Sequence, residues 1–298
     1  MDSKDLLKQI AEHDAVIDRG AGDDLYDQQV LAYALMDRAD CLVKLGRIDE
    51  ALGDWATLRQ RFGASSDGDL LAYLAAAAVA KGSMLHAAER FDEALAAYDD
   101  AYALGERSNE PALHEQIVAA LYRKAWTLSE MEFSSDAMRT ASELINRYGD
   151  DPPGEALPDV ANAMLLVVPL ACVLGQEDKA LLACEALIAH LGDEDDESVR
   201  KTVGRARIGR AALLGQQGQL DEAIQACDGV LADIGETPEG LMVSIRALAL
   251  VERGDLLRRA GRHQEAVRGY QAVLDGFSDG QDPDVDAALI RAREGLNA

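Results

Sequence analysis

Apolar residues recur along this chain at steps of three and four. In the first clear run, Leu31, Ala34, Leu35, Ala39, Leu42 and Leu45 share one helical face; a break follows at Gly46-Arg47, and the pattern resumes with Ile48, Leu52, Trp55, Leu58 and Phe62. The spacing predicts a helix of about 18 residues, a tight turn and a second helix of about 14. The second helix is expected to open at Asp49, where a carboxylate can accept from the free amides of the first turn. It is expected to stop at Gly63 in a left-handed conformation.

The same hairpin returns along the whole sequence. Short steps ending in alanine stand at Glu50-Ala51, Glu93-Ala94, Asp136-Ala137, Lys179-Ala180, Glu222-Ala223 and Glu265-Ala266, each alanine 43 residues after the last. A fixed period of this length is the mark of a repeat architecture. Small residues keep the register twelve before the alanine (Ala39, Gly82, Ala125, Val168, Ala211, Gly254). Five before it stand Gly46, Glu89, Glu132, Gly175, Gly218 and Gly261, read as places where two helices approach. Core columns are expected nine before the alanine (Leu42 to Leu257), one after (Leu52 to Val267) and seven after (Leu58 to Val273). Cap residues recur at Asp92, Ser135, Asp178 and Asp221, and stop glycines at Gly149, Gly192 and Gly235.

The units run approximately over 28–63, 70–105, 112–148, 157–191, 199–234 and 241–277, with half-units 3–19 and 283–296 covering the ends. A stacked array requires such end caps. The expected fold is all-α, a right-handed α-solenoid of about fourteen helices in a single domain over 1–298.

With Ala39, Gly46, Asp49-Glu50-Ala51 and Trp55, and again Gly82, Asp92-Glu93-Ala94 and Tyr98, the units resemble tetratricopeptide repeats over nearly the whole chain. The period is 43 where that family usually has 34. Leu35, Ala78, Leu121, Met164, Arg207 and Leu250 replace the large aromatic of the first helix, and Ala141, Cys184 and Cys227 replace the later one in units three to five. Armadillo and HEAT repeats share the longer period, but their signatures are not apparent. The resemblance implies a concave groove lined by the first helices, holding a peptide or a folded partner. One variant of the family clamps a terminal carboxylate with Lys and Asn; here Met36 and Asp40 stand at those positions, which disfavours a clamp.

Composition narrows the partner. The chain carries 54 acids against 29 bases, a formal charge of −25, so the summed field repels nucleic acid. The inter-unit loops hold most of the net negative charge, densest at Asp193-Glu194-Asp195-Asp196-Glu197, a solvated edge that could draw in a basic partner. A basic column, Arg38, Lys81, Lys124, Arg210 and Arg253, runs along the first helices, broken only at Val167. It reads either as stems packed between helices with heads on nearby acids, or as a charged spine for an acidic segment.

Cys41, Cys172, Cys184 and Cys227 stand singly and are expected to be buried thiols; no metal ligand set or cofactor motif is indicated. The apolar stretches 70–80 and 161–175 fall short of the roughly 20 residues that cross a bilayer, and the start of the chain lacks a basic leader followed by an apolar core, so a cytoplasmic, membrane-free protein is expected. The five histidines lie scattered with no nucleophile or metal partner at useful spacing, which points away from an enzyme.

The expected function is therefore a non-enzymatic protein-binding scaffold, the alternative being a peptide-sensing module whose pitch changes on binding. Tyr33, Tyr122 and Trp126 are candidate aromatic anchors beside Met36 and Asp40, with Trp126 read either as an anchor or as buried between units three and four. Arg205 and Arg259 mark a second contact patch, and the array ends offer a route to self-association.

Overall fold

The computed structural model describes residues 2–22, 24–236, 238–278, 280 and 282–297. These form fourteen helices, with no strand among the described residues: α1 (Ser3–Arg19), α2 (Leu25–Lys44), α3 (Ile48–Phe62), α4 (Gly68–Ala87), α5 (Phe91–Leu104), α6 (Pro111–Glu130), α7 (Ser134–Tyr148), α8 (Leu157–Val173), α9 (Glu177–Leu191), α10 (Glu197–Gln216), α11 (Leu220–Ile234), α12 (Met242–Arg259), α13 (His263–Gly276) and α14 (Pro283–Asn297). The six short helices α3, α5, α7, α9, α11 and α13 begin at intervals of 43 residues. Asp279 of the last acidic loop lies outside the described residues.

The chain divides into two compact units, 1–160 and 161–298. In the first, α2 packs on α4 and α4 on α6, while α3 fits against α4 and α5 against α6. In the second, α10, α12 and α14 pack in succession, with α11 and α13 each against the long helices on either side. Each unit is thus a stack of helical hairpins, an α-solenoid in which no hairpin buries its apolar face alone. Polar cross-links between neighbouring hairpins carry the same spacing. Gln29 donates to Asp69 at 2.9 Å, His86 meets Thr127 at 2.9 Å, Tyr102 donates to Glu143 at 2.5 Å, Thr202 to Asn162 at 2.9 Å, and Arg291 to Glu252 at 2.6 Å, all across 39 to 41 residues of sequence.

The step alanines are fully packed, none more than 1% exposed, as positions where the small side chain lets helices come together. Leu42, Leu85, Leu128, Ala171, Leu214 and Leu257 are all buried, as is the column from Leu58 to Val273. The column after the alanine meets its expectation in part: Met138 and Ile224 are buried, but Leu52, Leu95 and Leu181 are half-buried and Val267 is 49% exposed. One residue on is about 100° further round the helix, at the margin of the packed face.

Three local expectations change. Glycines at Gly46, Gly175, Gly218 and Gly261 do not mark close approach, since nothing lies within 4 Å of where a Cβ would stand; they take φ of +67° to +85° in the turn between the two helices of a hairpin. Glu89 and Glu132 adopt the same left-handed turn at φ +58° and +63°. By contrast Gly63, Gly149 and Gly192 leave their helices in a right-handed conformation, and of the four expected stops Gly235 alone is left-handed, at φ +78°. Finally, the second helices carry no side-chain cap: their N-cap residues are Arg47, Arg90, Phe133, Gln176, Gln219 and Arg262, and Asp49, Asp92, Asp178 and Asp221 sit inside the first turn. There the acids face the positive end of the helix dipole. Arg47, Arg90 and Arg262 grip Glu50, Glu93 and Glu265 in two-pronged pairs of 2.6–2.8 Å, which hold those carboxyls below their ordinary range.

Side-chain caps occur instead on three of the first helices, α2, α4 and α10. Asp24 accepts from the amide of Tyr26, Asp67 from Leu70 and Asp196 from Val199. Part of the acidic loop charge therefore has a structural task. Helix α4, 20 residues long, is apolar enough to cross a membrane by length and composition, a correction to the expectation that no stretch reaches that size. Its packing against α2, α3, α5 and α6 accounts for its apolarity. Cys41, Cys184 and Cys227 are buried as expected, but Cys172 is exposed near the end of α8.

Candidate partner-binding face

The 43-residue register sets the same face of every first helix in the same relation to its hairpin. On α2 that face carries Tyr33, Met36 and Asp40, at helical steps of three and four. Two periods later Tyr122 and Trp126 hold the places of Met36 and Asp40 on α6, with α4 packed between. Trp126 is 45% exposed and Tyr33 47%, so neither is a core residue; of the two readings open for Trp126, burial is overturned. Tyr122 and Met36 are half-buried, and Asp40 is exposed and paired with Lys44 at 2.5 Å.

Around these anchors the face is tied together by ring contacts and hydrogen bonds. Tyr33 makes edge contacts with His13 on α1 (6.0 Å) and with Tyr73 on α4 (6.3 Å). His13 in turn holds Asp37 at 2.6 Å. At the other end of the face, the Trp126 indole N–H donates to Glu130 at 2.9 Å, and Glu130 lies 3.1 Å from His86, whose other ring nitrogen meets Thr127. The face of the first unit is thus aromatic with acids at its margins. It presents flat apolar surface held in a fixed pose, flanked by carboxylates.

Tyr73, His86 and Glu130 were not singled out by the sequence. Tyr73 stands one helical turn before Ala76, the α4 counterpart of Tyr33, so continuity of the face was its available signal. His86 and Glu130 have none, since their meeting depends on two helices 44 residues apart in sequence.

In the second unit, Arg205 and Arg259 are not brought together. Arg205 is exposed on α10 and reaches Asp284 at 3.5 Å; Arg259, at the far end of α12, donates to the carbonyl of Gly215 at 2.7 Å. Arg259 therefore touches α10 ten residues beyond Arg205, about 15 Å along the helix. Arg246 donates to the carbonyl of Gly235. These guanidiniums fasten helix ends within the unit.

The basic column takes the first of its two readings nearly throughout. Arg38 forks onto buried Asp54 (2.5 and 2.9 Å) and reaches Asp14 at 2.5 Å, Lys124 pairs with Asp99, Arg210 with Glu185 at 3.5 Å and Arg253 with Asp228 at 2.5 Å. Lys81 differs: among the described residues no carboxylate lies within ion-pairing distance of it.

No family model matches the chain, and no curated protein matches it. Among solved structures it is similar to a tetratricopeptide repeat protein from Parabacteroides merdae, 14% identical, with 97% of this chain and 99% of that one covered at a TM-score of 0.49. It is also similar to the TPR domain of P58(IPK), 14% identical over 98% of both chains, at a TM-score of 0.21. Neither likeness assigns this chain a partner, a groove or an activity; both are to proteins of the tetratricopeptide kind.

Proposed function

We propose that this chain is a non-enzymatic scaffold that holds a partner protein or peptide along the groove of its first helices, anchored in the first unit on Tyr33, Tyr122 and Trp126. The observation that carries this reading is Trp126: an indole nearly half open to solvent, fixed by its hydrogen bond to Glu130, on the face it shares with exposed Tyr33. A rigid aromatic loses little conformational freedom on binding, and such residues supply a disproportionate share of interface energy. Asp37, Asp40 and Glu130 beside it favour a basic partner, drawn in faster at low salt.

The test is affinity capture from the native host followed by binding of the captured partner to variants. Trp126→Ala is expected to weaken that complex by about 2 kcal/mol. Its thermal melt should stay close to the parent's, since the ring fills no core site. Unchanged affinity together with a lowered melt would return Trp126 to a packing role and sink the reading.

A further inference from the structure

Three ion pairs of the basic column follow one rule. Asp99–Lys124, Glu185–Arg210 and Asp228–Arg253 each join a second helix to the next first helix across 25 residues of sequence. The acids stand at 99, 185 and 228, all on one 43-residue register whose member on α3 is Ala56. Its partner position on α4 is Lys81, which has kept its charge. Ala56 and Lys81 line one cleft of about 400 Å³, walled by α3 and α5 and floored by α4, where the two second helices do not pack on each other.

The cleft has an apolar and cationic lining. Leu52, Trp55, Leu74 and Leu104 and a set of alanines line it, together with Arg59, Lys81 and Arg107 against the single acid Asp100. Asp100 is already taken by Arg59, and Arg107 donates to the carbonyls of Gly63 and Ser65. Glu93 feels the charge of Lys81, but it is itself held in the fork of Arg90. In the second unit the equivalent cleft, between α9 and α11 over α10, is lined by two bases, Arg207 and Arg210, and two acids, Glu185 and Asp233, paired with each other. In a chain of charge −25, a lining with three bases and one acid among apolar residues is an exception that calls for an anion from outside.

We propose that the α3–α4–α5 cleft binds a small apolar carboxylic acid, its tail among the leucines and alanines beside Trp55 and its carboxylate on Lys81 at the place the missing α3 carboxylate would have filled. The volume is that of a small-molecule site, and a mostly apolar lining carries a few charged side chains, Lys81 among them, as such sites require. The site is separate from the Trp126 face and does not depend on it.

Trp55 provides the readout, because Trp126 is the chain's other tryptophan and can be removed as Trp126→Phe. In that background, Trp55 fluorescence is titrated with sodium octanoate, with 1-octanol as the uncharged control and with a short peptide ending in a leucine carboxylate as a third arm. Octanoate is expected to saturate and to bind about tenfold or more tighter than octanol, the worth of one charge-assisted hydrogen bond. Ala56→Asp is expected to remove that preference, pairing with Lys81 as Asp99 does with Lys124, while its melt stays at or above the parent's; Lys81→Gln should act likewise. Equal binding of octanoate and octanol, octanoate affinity unchanged in Ala56→Asp, or saturation by the peptide alone would each overturn the proposal.

Discussion

Twelve residues before each step alanine and four after it, two side chains share one space between the helices of a hairpin. Gly82 lies under Tyr98, where an added Cβ would stand 2.4 Å from the ring, and Gly254 lies under Tyr270 at 2.6 Å. Where the later position is small, as at Ala141, Cys184 or Cys227, the earlier one is Ala125, Val168 or Ala211. Tyrosine thus stands over glycine and small residues over Ala or Val, as close packing demands, whereas the first unit sets Trp55 over Ala39. Gly82→Ala is therefore expected to destabilise the fold by about 1–3 kcal/mol. Placed on a Tyr98→Ala background the same change should cost far less, and a double-mutant cycle by chemical denaturation measures the difference. Equal cost in both backgrounds would sever the pair. The thiols make a second case: burial pushes Cys184 and Cys227 up to about 12, so both stay protonated in the fold well above the ordinary thiol range. As pH rises past about 8.5 the unfolded chain ionises first, and what these thiols contribute to stability is lost on the alkaline side. A disulfide-exchange reagent at pH 8 should accordingly modify Cys172 in the native protein and reach Cys184 and Cys227 after denaturation. Fast native modification of either buried thiol would contradict that packing.

At the level of the helix, α8 is the anomaly. Pro169 sits inside it with no amide to donate, so the carbonyl of Leu165 loses its helical partner, yet the helix runs unbroken from Leu157 to Val173. Pro169 is exposed, in the register of Asp40, Ser83 and Trp126, so it fills no core space that alanine would leave empty. Pro169→Ala is expected to stabilise the protein by about 1–3 kcal/mol, read as a raised midpoint in urea. A lowered midpoint would mean the ring makes a packing contact that outweighs its backbone cost. Helix identity and order were legible because burial at three- and four-residue steps writes itself directly into composition. Helix ends were less so: Asp49 and Asp92 look like caps because acids gather at both the cap and the first turn, and only the backbone distinguishes Arg47 and Arg90 as the residues before the helix. The turn glycines were visible as a column, but a glycine needed for its φ and one needed for its missing Cβ look alike in sequence.

For the molecule as a whole, the period and the pairing of hairpins could be taken from the chain, and so could Tyr33 as a candidate anchor, whereas the choice between an exposed and a buried Trp126 needed the structure. What could not be taken were meetings between helices: His86 with Glu130, Tyr33 with Tyr73, and the arginines of the second unit fastened to carbonyls and to Asp284. Such contacts depend on how far one hairpin rotates against the next, a quantity no single helix encodes. The vacancy opposite Lys81 was written in the sequence, at Ala56, but it became readable only once Asp99–Lys124 and its counterparts showed which columns face each other.

The constant interval between second helices makes the hairpins interchangeable parts. Removing residues 48–90 would join Arg47 to Phe91, and since Arg90 and Arg47 hold equivalent places, the guanidinium of Arg47 would meet Glu93 in the fork it now makes with Glu50. Two misfits would remain: Ala39 under Tyr98, which Ala39→Gly repairs by copying Gly82, and Arg38, whose partner Asp54 gives way to Ala97 and is restored by Ala97→Asp. The shortened chain, so corrected, is expected to stay helical and to melt cooperatively in circular dichroism. A collapse of helicity there would show that the copies, alike as they are, cannot be spliced.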